Sequence, residues 1–258
     1  MNTLSVRALL VRGMVAGLIA GVLALAVAYV LGEPRIDASI AVEEAAAAHA
    51  HGAAHGADAA EELVSRTEQS TVGLATGILV FGIAIGGTAA LAFAAALGRL
   101  GRLGARATAA VVAGAGLVAV YVIPFLKYPP APPAVGDPDT VGERTALFFL
   151  MVALSLLLTV GAFLAGKRLT PRLGAWNATL AAGGGLLLAV VLAYAFLPSY
   201  EPLPVGFPAN LLWQFRLASL AVQATLWAGF GLVFGYLAER LVEQRTAADA
   251  APREPVAV

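Results

Sequence analysis

The sequence predicts an all-α fold, a polytopic membrane bundle of six transmembrane helices with both termini in the cytoplasm. Three observations predict it: six long apolar runs, a charge balance that alternates from one gap to the next, and small residues at four-residue spacing within the runs. Of the 258 residues, 60% are hydrophobic and 12% charged. The 16 basic and 16 acidic side chains cancel overall, which hides two oppositely biased faces.

The runs cover residues 11–31, 71–97, 107–126, 145–165, 176–197 and 215–238. Each reaches the roughly 20 residues that a helix rising about 1.5 Å per residue needs to cross about 30 Å of hydrocarbon. Their interiors carry no Asp, Glu, Lys or Arg, and a helix satisfies its own backbone groups in lipid. The amino end, the second gap, the fourth gap and the tail together hold 11 basic and 4 acidic residues; the opposite face holds 5 basic and 12 acidic. By the positive-inside rule the first face is cytoplasmic. Arg7 and Arg12 before a run ending Ala26-Val27-Ala28 also fit a cleaved signal peptide, but the run exceeds the usual 7 to 15 or so apolar residues, so retention is expected.

Residues 1–243 read as one membrane domain and 244–258 as a disordered cytoplasmic tail. Within the domain, 32–70 is an exterior loop with an acidic start, Glu33-Pro34-Arg35-Ile36-Asp37, and an Ala-rich, helical-looking continuation. Residues 127–144 form a Pro-rich exterior loop, whose prolines favour a stiff extended path. A faint repeat aligns Arg99-Leu-Gly-Arg-Leu-Gly-Ala with Arg168-Leu-Thr-Pro-Arg-Leu-Gly-Ala, each leading into a span that ends in Tyr and Pro. Gly13/Gly17/Gly21, Gly73/Gly77, Gly82/Gly86 and Gly231/Gly235 are placed to let helix backbones approach closely.

Two exterior segments carry candidate metal ligands. His49, His51 and His55 lie among carboxylates, and imidazole with carboxylate suits borderline divalent ions. On a helix, His51, His55, Asp58 and Glu62 share one stripe while His49 points away. The plain alternative is a solvated low-complexity loop that binds metal weakly. In the Pro-rich loop, Asp137 and Asp139 flank one proline, with Lys127, Tyr128 and Arg144 nearby as pairing groups; an ordinary Asp-Pro turn edged by snorkelling basic residues fits equally. Gln223 is the one amide deep in a span, suited to a helix–helix hydrogen bond.

The chain has no cysteine, so disulfides and thiolate ligands are excluded. No nucleic-acid signature is present. Gly161-Ala-Phe-Leu-Ala-Gly-Lys-Arg approaches a phosphate-binding loop, but Arg168 stands where Ser or Thr must meet Mg²⁺, and no strand precedes it. Enzyme chemistry lacks a nucleophile–base pair or cofactor motif, so no catalytic residues and no bound cofactor are expected.

The segments beginning Gly32-Glu-Pro-Arg-Ile-Asp, Val122-Ile-Pro-Phe-Leu-Lys-Tyr-Pro-Pro and Phe215-Arg-Leu-Ala-Ser-Leu resemble the CbtA family of predicted cobalt transporter subunits. The likeness covers nearly the whole chain apart from the histidine stretch and the tail. It implies a multi-pass protein of the bacterial inner membrane, linked to cobalt supply for cobalamin synthesis, with a small single-span histidine-containing partner of the CbtB type. Two functions remain open at this point. One is a potential-driven permease subunit for Co²⁺ or Ni²⁺ with an exterior acidic and histidine capture surface; the other is a non-transporting scaffold of a metal-handling complex.

Overall fold

The computed structural model describes residues 6–51, 65–132, 140–199 and 207–250, with the backbone alone described at 46–51 and 248–250. All regular structure among these residues is helical. In chain order the helices are α1 (Val6–Val27), α2 (Glu33–His51), α3 (Arg66–Glu68), α4 (Leu74–Ala96), α5 (Ala105–Gly116), α6 (Ile123–Lys127), α7 (Val141–Phe196) and α8 (Ala209–Ala250). Wider π-helical stretches, Ala28–Gly32, Gln69–Gly73 and Leu117–Val122, join α1 to α2, α3 to α4 and α5 to α6. Five of the resulting continuous helices are long and apolar enough to cross a membrane: Val6–Ala45, Arg66–Ala96, Ala105–Lys127, Val141–Phe196 and Ala209–Ala247.

Two of the π stretches end two residues before a proline, Pro34 and Pro124. A proline ring inside a helix clashes with the carbonyl four residues back and offers no N–H to it. Widening the preceding turn relieves the clash, and the Ile123 N–H accordingly donates five residues back, to the Val118 carbonyl.

The 56 residues of α7 are not one rod. Gly174 takes φ 74° and ψ 162°, a left-handed conformation open to glycine, and breaks the helix there. A methyl group built on Gly166 would lie 3.3 Å from the Ala182 Cβ, although a continuous helix would separate these residues by about 24 Å. Residues 141–173 and 175–196 therefore fold back on each other as a helical hairpin. The expected spans 145–165 and 176–197 fall on its two arms.

The chain divides into two compact units. The first comprises, among described residues, 6–27, 65–114 and 222–250. Its α1 and α4 touch through backbone: a Cβ on Gly17 would collide with the Gly82 carbonyl oxygen, and one on Gly86 with that of Gly13. The α8 residues Gly231 and Gly235 lie against the methyl groups of Ala113 and Ala109 on α5. Gly73 and Gly77, read from the sequence as further close-approach positions, meet no other helix among the described residues. Phe93, Phe230 and Phe234 fill the interior, Phe93 edge-on to Phe234 and Phe234 stacked on Phe230. Arg106 pairs with Glu239, and the guanidinium groups of Arg106 and Arg240 both lie over the Tyr236 ring.

The helix that opens with α3 has a complete start signal. Ser65 caps it, its hydroxyl accepting from the Glu68 N–H at 3.3 Å while the Glu68 carboxylate accepts from the Ser65 N–H at 3.1 Å. At the other end, α4 stops at Leu97 and the chain turns through Gly98 and Gly101, both at positive φ.

The second unit comprises 28–51, 115–132, 140–199 and 207–221 of the described residues. Its apolar core joins Ile123, Tyr128, Met151 and Val190, with Leu147, Leu158, Leu186 and Tyr194 packed around them. Met151 and Leu158 stand on one arm of the α7 hairpin and Leu186 and Val190 on the other, so this core holds the hairpin closed.

Candidate functional site

A polar seam runs through the second unit, built around the proline of α6. Pro124 leaves the Ala119 carbonyl without a backbone donor, because the next carbonyl back already holds the Ile123 N–H. The fully buried Ser155 hydroxyl of α7 donates to that carbonyl, and also to Val152 O at 2.9 Å. The Tyr194 hydroxyl, from the returning arm, donates to the Ile123 carbonyl. At the end of α6 the Lys127 ammonium donates to Tyr194 O at 3.0 Å and to Ser199 Oγ at 2.9 Å, and the Tyr128 hydroxyl donates to Pro198 O at 2.7 Å. Arg216 of α8 reaches Pro130 O at 3.4 Å. The Pro-rich segment after α6 is thus pinned at its base.

The other proline site lies at the end of α1. Glu33 follows the Ala28–Gly32 stretch and is only 7% exposed, the sole buried acidic side chain among the described residues. It takes part in a polar contact of its own. A few residues on, the fully buried Ser39 hydroxyl donates to the Arg35 carbonyl at 2.7 Å. The sequence reading counted Glu33 only as loop charge. Its burial follows from the phase of the helix that continues past Ala28, which turns this residue inward while Tyr29, Val30 and Leu31 stay exposed.

The residues singled out in the sequence are placed unevenly. Lys127 and Tyr128 belong to the seam, where the ammonium is engaged by Tyr194 and Ser199. Arg144 is half-buried in the first turn of α7. Gln223 is half-buried on α8 and makes no hydrogen bond among the described residues. The backbone of His49 and His51 is helical, at the end of α2. His55, Asp58, Glu62, Asp137 and Asp139 lie outside the described residues. Among the described residues no three His, Asp or Glu side chains gather into a metal-holding group.

A family model described as "Probable cobalt transporter subunit (CbtA)" matches residues 6–239. The chain belongs to the CbtA family. Searches of curated proteins and of solved structures each returned no match. The match runs from the first residue of α1 to Glu239 of α8, so it takes in both units and every membrane-length helix. This CbtA protein is accordingly a multi-pass membrane protein of a cobalt transporter subunit family. Chemically, its second unit offers one buried carboxylate and several hydroxyls. These are the hard oxygen donors that can replace water around a divalent cation.

Proposed function

We propose that this protein is the membrane permease subunit of a Co²⁺ uptake system, admitting the cation down the membrane potential. The observation that carries the reading is the family match across 6–239. Five apolar helices, one of them doubled back at Gly174, support a reading of six spans in a bacterial inner membrane, and the basic bias of 99–106, 167–172 and both ends favours cytoplasmic termini. A divalent cation entering down a potential of about 100 mV gains roughly 4.6 kcal/mol, twice the single-charge value, so no nucleotide site is required.

On this topology the acidic gaps face outward. His49, His51, His55, Asp58 and Glu62 of the long loop, with Asp137 and Asp139 of the Pro-rich loop, form the capture surface, and the seam of Lys127 and Tyr128 fixes the base of the second loop. A small single-span histidine-containing subunit of the CbtB type is the partner. Ni²⁺ competes for the same ligands, since nitrogen and oxygen donors rank it above cobalt.

A second reading, a scaffold that transports nothing, is favoured by one observation. In the first unit α1 and α4 are in backbone contact and the interior is filled by Phe93, Phe230 and Phe234, which leaves no ion path between those helices.

Proteoliposomes holding the purified protein, with or without the partner subunit, separate the two. The permease reading expects ⁵⁷Co²⁺ accumulation above empty liposomes, competition by Ni²⁺, and a several-fold loss with Asp137→Ala plus Asp139→Ala. Accumulation at the level of empty liposomes in both preparations would favour the scaffold.

A further inference from the structure

We propose that the end of the first unit where α5 and α8 meet binds the headgroup phosphate of an anionic phospholipid, held by Arg106, Arg240 and the Tyr236 hydroxyl. The proposal concerns the lipid around the protein and stands whether or not a cation passes through it.

Depth is the first support. Residues 217–238 of α8 carry no charge, and at about 1.5 Å per residue they span about 33 Å, close to the thickness of a hydrocarbon core. Residues 107–126, which begin in α5, are uncharged as well. Arg106 therefore directly precedes one apolar run, and Glu239 and Arg240 directly follow another. The two ends coincide in space, since a methyl built on Gly235 would lie 3.4 Å from the Arg106 Cα.

The second support is the order of side chains along α8. Leu232, Tyr236 and Arg240 follow one another at four-residue spacing and so share a helix face. All three are exposed, Leu232 at 76% and Tyr236 at 46%. Read toward the helix end, the face presents an apolar chain, a phenol and a guanidinium, which match in turn the acyl chain, the interface and the headgroup of a lipid. A free anion in water has no use for the exposed Leu232 beneath the charges.

Charge is the third. The guanidinium groups of Arg106 and Arg240 lie 5.6 Å and 5.3 Å from the centroid of the Tyr236 ring, so one aromatic side chain gathers both. Glu239 pairs with Arg106 through Nε, which leaves the terminal nitrogens of that group facing outward. Arg240 has no ion pair or hydrogen bond among the described residues, and neither has the Tyr236 hydroxyl. Two arginines against one carboxylate leave a net positive charge with N–H and O–H donors unspent, the complement of a phosphodiester at the membrane surface.

The test follows the thermal midpoint of the full-length protein in a neutral detergent by circular dichroism, with phosphatidylglycerol, phosphatidylcholine or inorganic phosphate added in increasing amounts. Phosphatidylglycerol is expected to raise the midpoint by several degrees, while the other two leave it near its starting value. Arg240→Gln and Arg106→Gln are each expected to raise the half-maximal phosphatidylglycerol fraction about fivefold. Arg172→Gln, which removes an exposed arginine at the α7 bend, is expected to leave that fraction unchanged. An equal shift with phosphatidylcholine, or an equal one with inorganic phosphate alone, would overturn the assignment to an anionic lipid. The same loss in Arg172→Gln as in Arg240→Gln would overturn the site, because basic charge anywhere on the protein would then serve. Should Arg106→Gln fail to fold once Glu239 loses its partner, Arg240→Gln decides alone: an unchanged half-maximal fraction overturns the proposal.

Discussion

The Ser155 hydroxyl of α7 donates to the Ala119 carbonyl, the backbone group that Pro124 deprives of its helical partner. Both residues are essentially inaccessible to solvent. One side chain on the first arm of the hairpin thereby satisfies a carbonyl that the proline leaves over inside a helix that continues to Lys127.

Ser155→Ala is expected to destabilise the protein by about 1–2 kcal/mol, above the roughly 0.6 kcal/mol average for hydrogen bonds inside membranes, because no second donor is available to a buried carbonyl. Thr159→Val removes only a hydroxyl bonded to its own helix at Ser155 O, and should stay within about 0.5 kcal/mol. Unfolding in mixed detergent micelles followed by circular dichroism distinguishes the two; equal effects would mean that the Ala119 bond has no special weight.

Gly17→Ala forces a methyl against the Gly82 carbonyl, which as backbone cannot rotate away. A loss of about 1–3 kcal/mol is expected from overpacking. Gly77→Ala meets nothing within 4 Å and should raise stability by up to about 1 kcal/mol through helix propensity. Thermal midpoints in one detergent compare them directly.

Tyr128→Phe removes the donor to Pro198 O but keeps the ring in its core, and should cost about 1 kcal/mol. Lys127→Met removes two hydrogen bonds, to Tyr194 O and Ser199 Oγ, and should cost more. Protease susceptibility of the Pro-rich segment is the sensitive measurement: both variants are expected to speed cleavage between 127 and 144.

Thr108 is fully buried and its hydroxyl has no hydrogen-bond partner among the described residues. Thr108→Val keeps the shape and removes an unsatisfied polar atom, so stability should hold or rise by up to about 1 kcal/mol. A clear drop in the thermal midpoint would point to a bound water at that hydroxyl.

The absence of cysteine makes sidedness directly measurable. With six spans, Arg102→Cys and Thr170→Cys should react with an impermeant thiol reagent only from the cytoplasm, and Glu44→Cys and Glu143→Cys only from outside. Labelling of Thr170→Cys from the same side as Glu143→Cys would mean that the first arm of the α7 hairpin does not cross.

Much of the helical frame was legible from hydropathy, because lipid leaves a backbone few choices and long apolar runs announce themselves. Close approach at Gly13, Gly17, Gly82 and Gly86 was legible for the same reason: small residues at four-residue spacing have little other use on an apolar face. The identical spacing of Gly73 and Gly77 meets no other helix, since spacing says which face is smooth but not which face has a neighbour. The π stretches before Pro34 and Pro124 could not be read from hydropathy, being a backbone response to a single residue. Glu33 was hidden by averaging: a charge count over whole gaps treats every acid of a gap alike, and burial separates this one from Asp37 only four residues later.

Potential dependence of transport tests the central claim most directly. In proteoliposomes clamped by a potassium diffusion potential, the initial rate of ⁵⁷Co²⁺ entry should rise steeply when the interior is made negative by about 100 mV, and fall to leak when the gradient is abolished, since the two charges together contribute roughly 4.6 kcal/mol. Entry at one and the same rate with and without the potential, or none in either state, would contradict the account of this protein as a potential-driven cobalt permease.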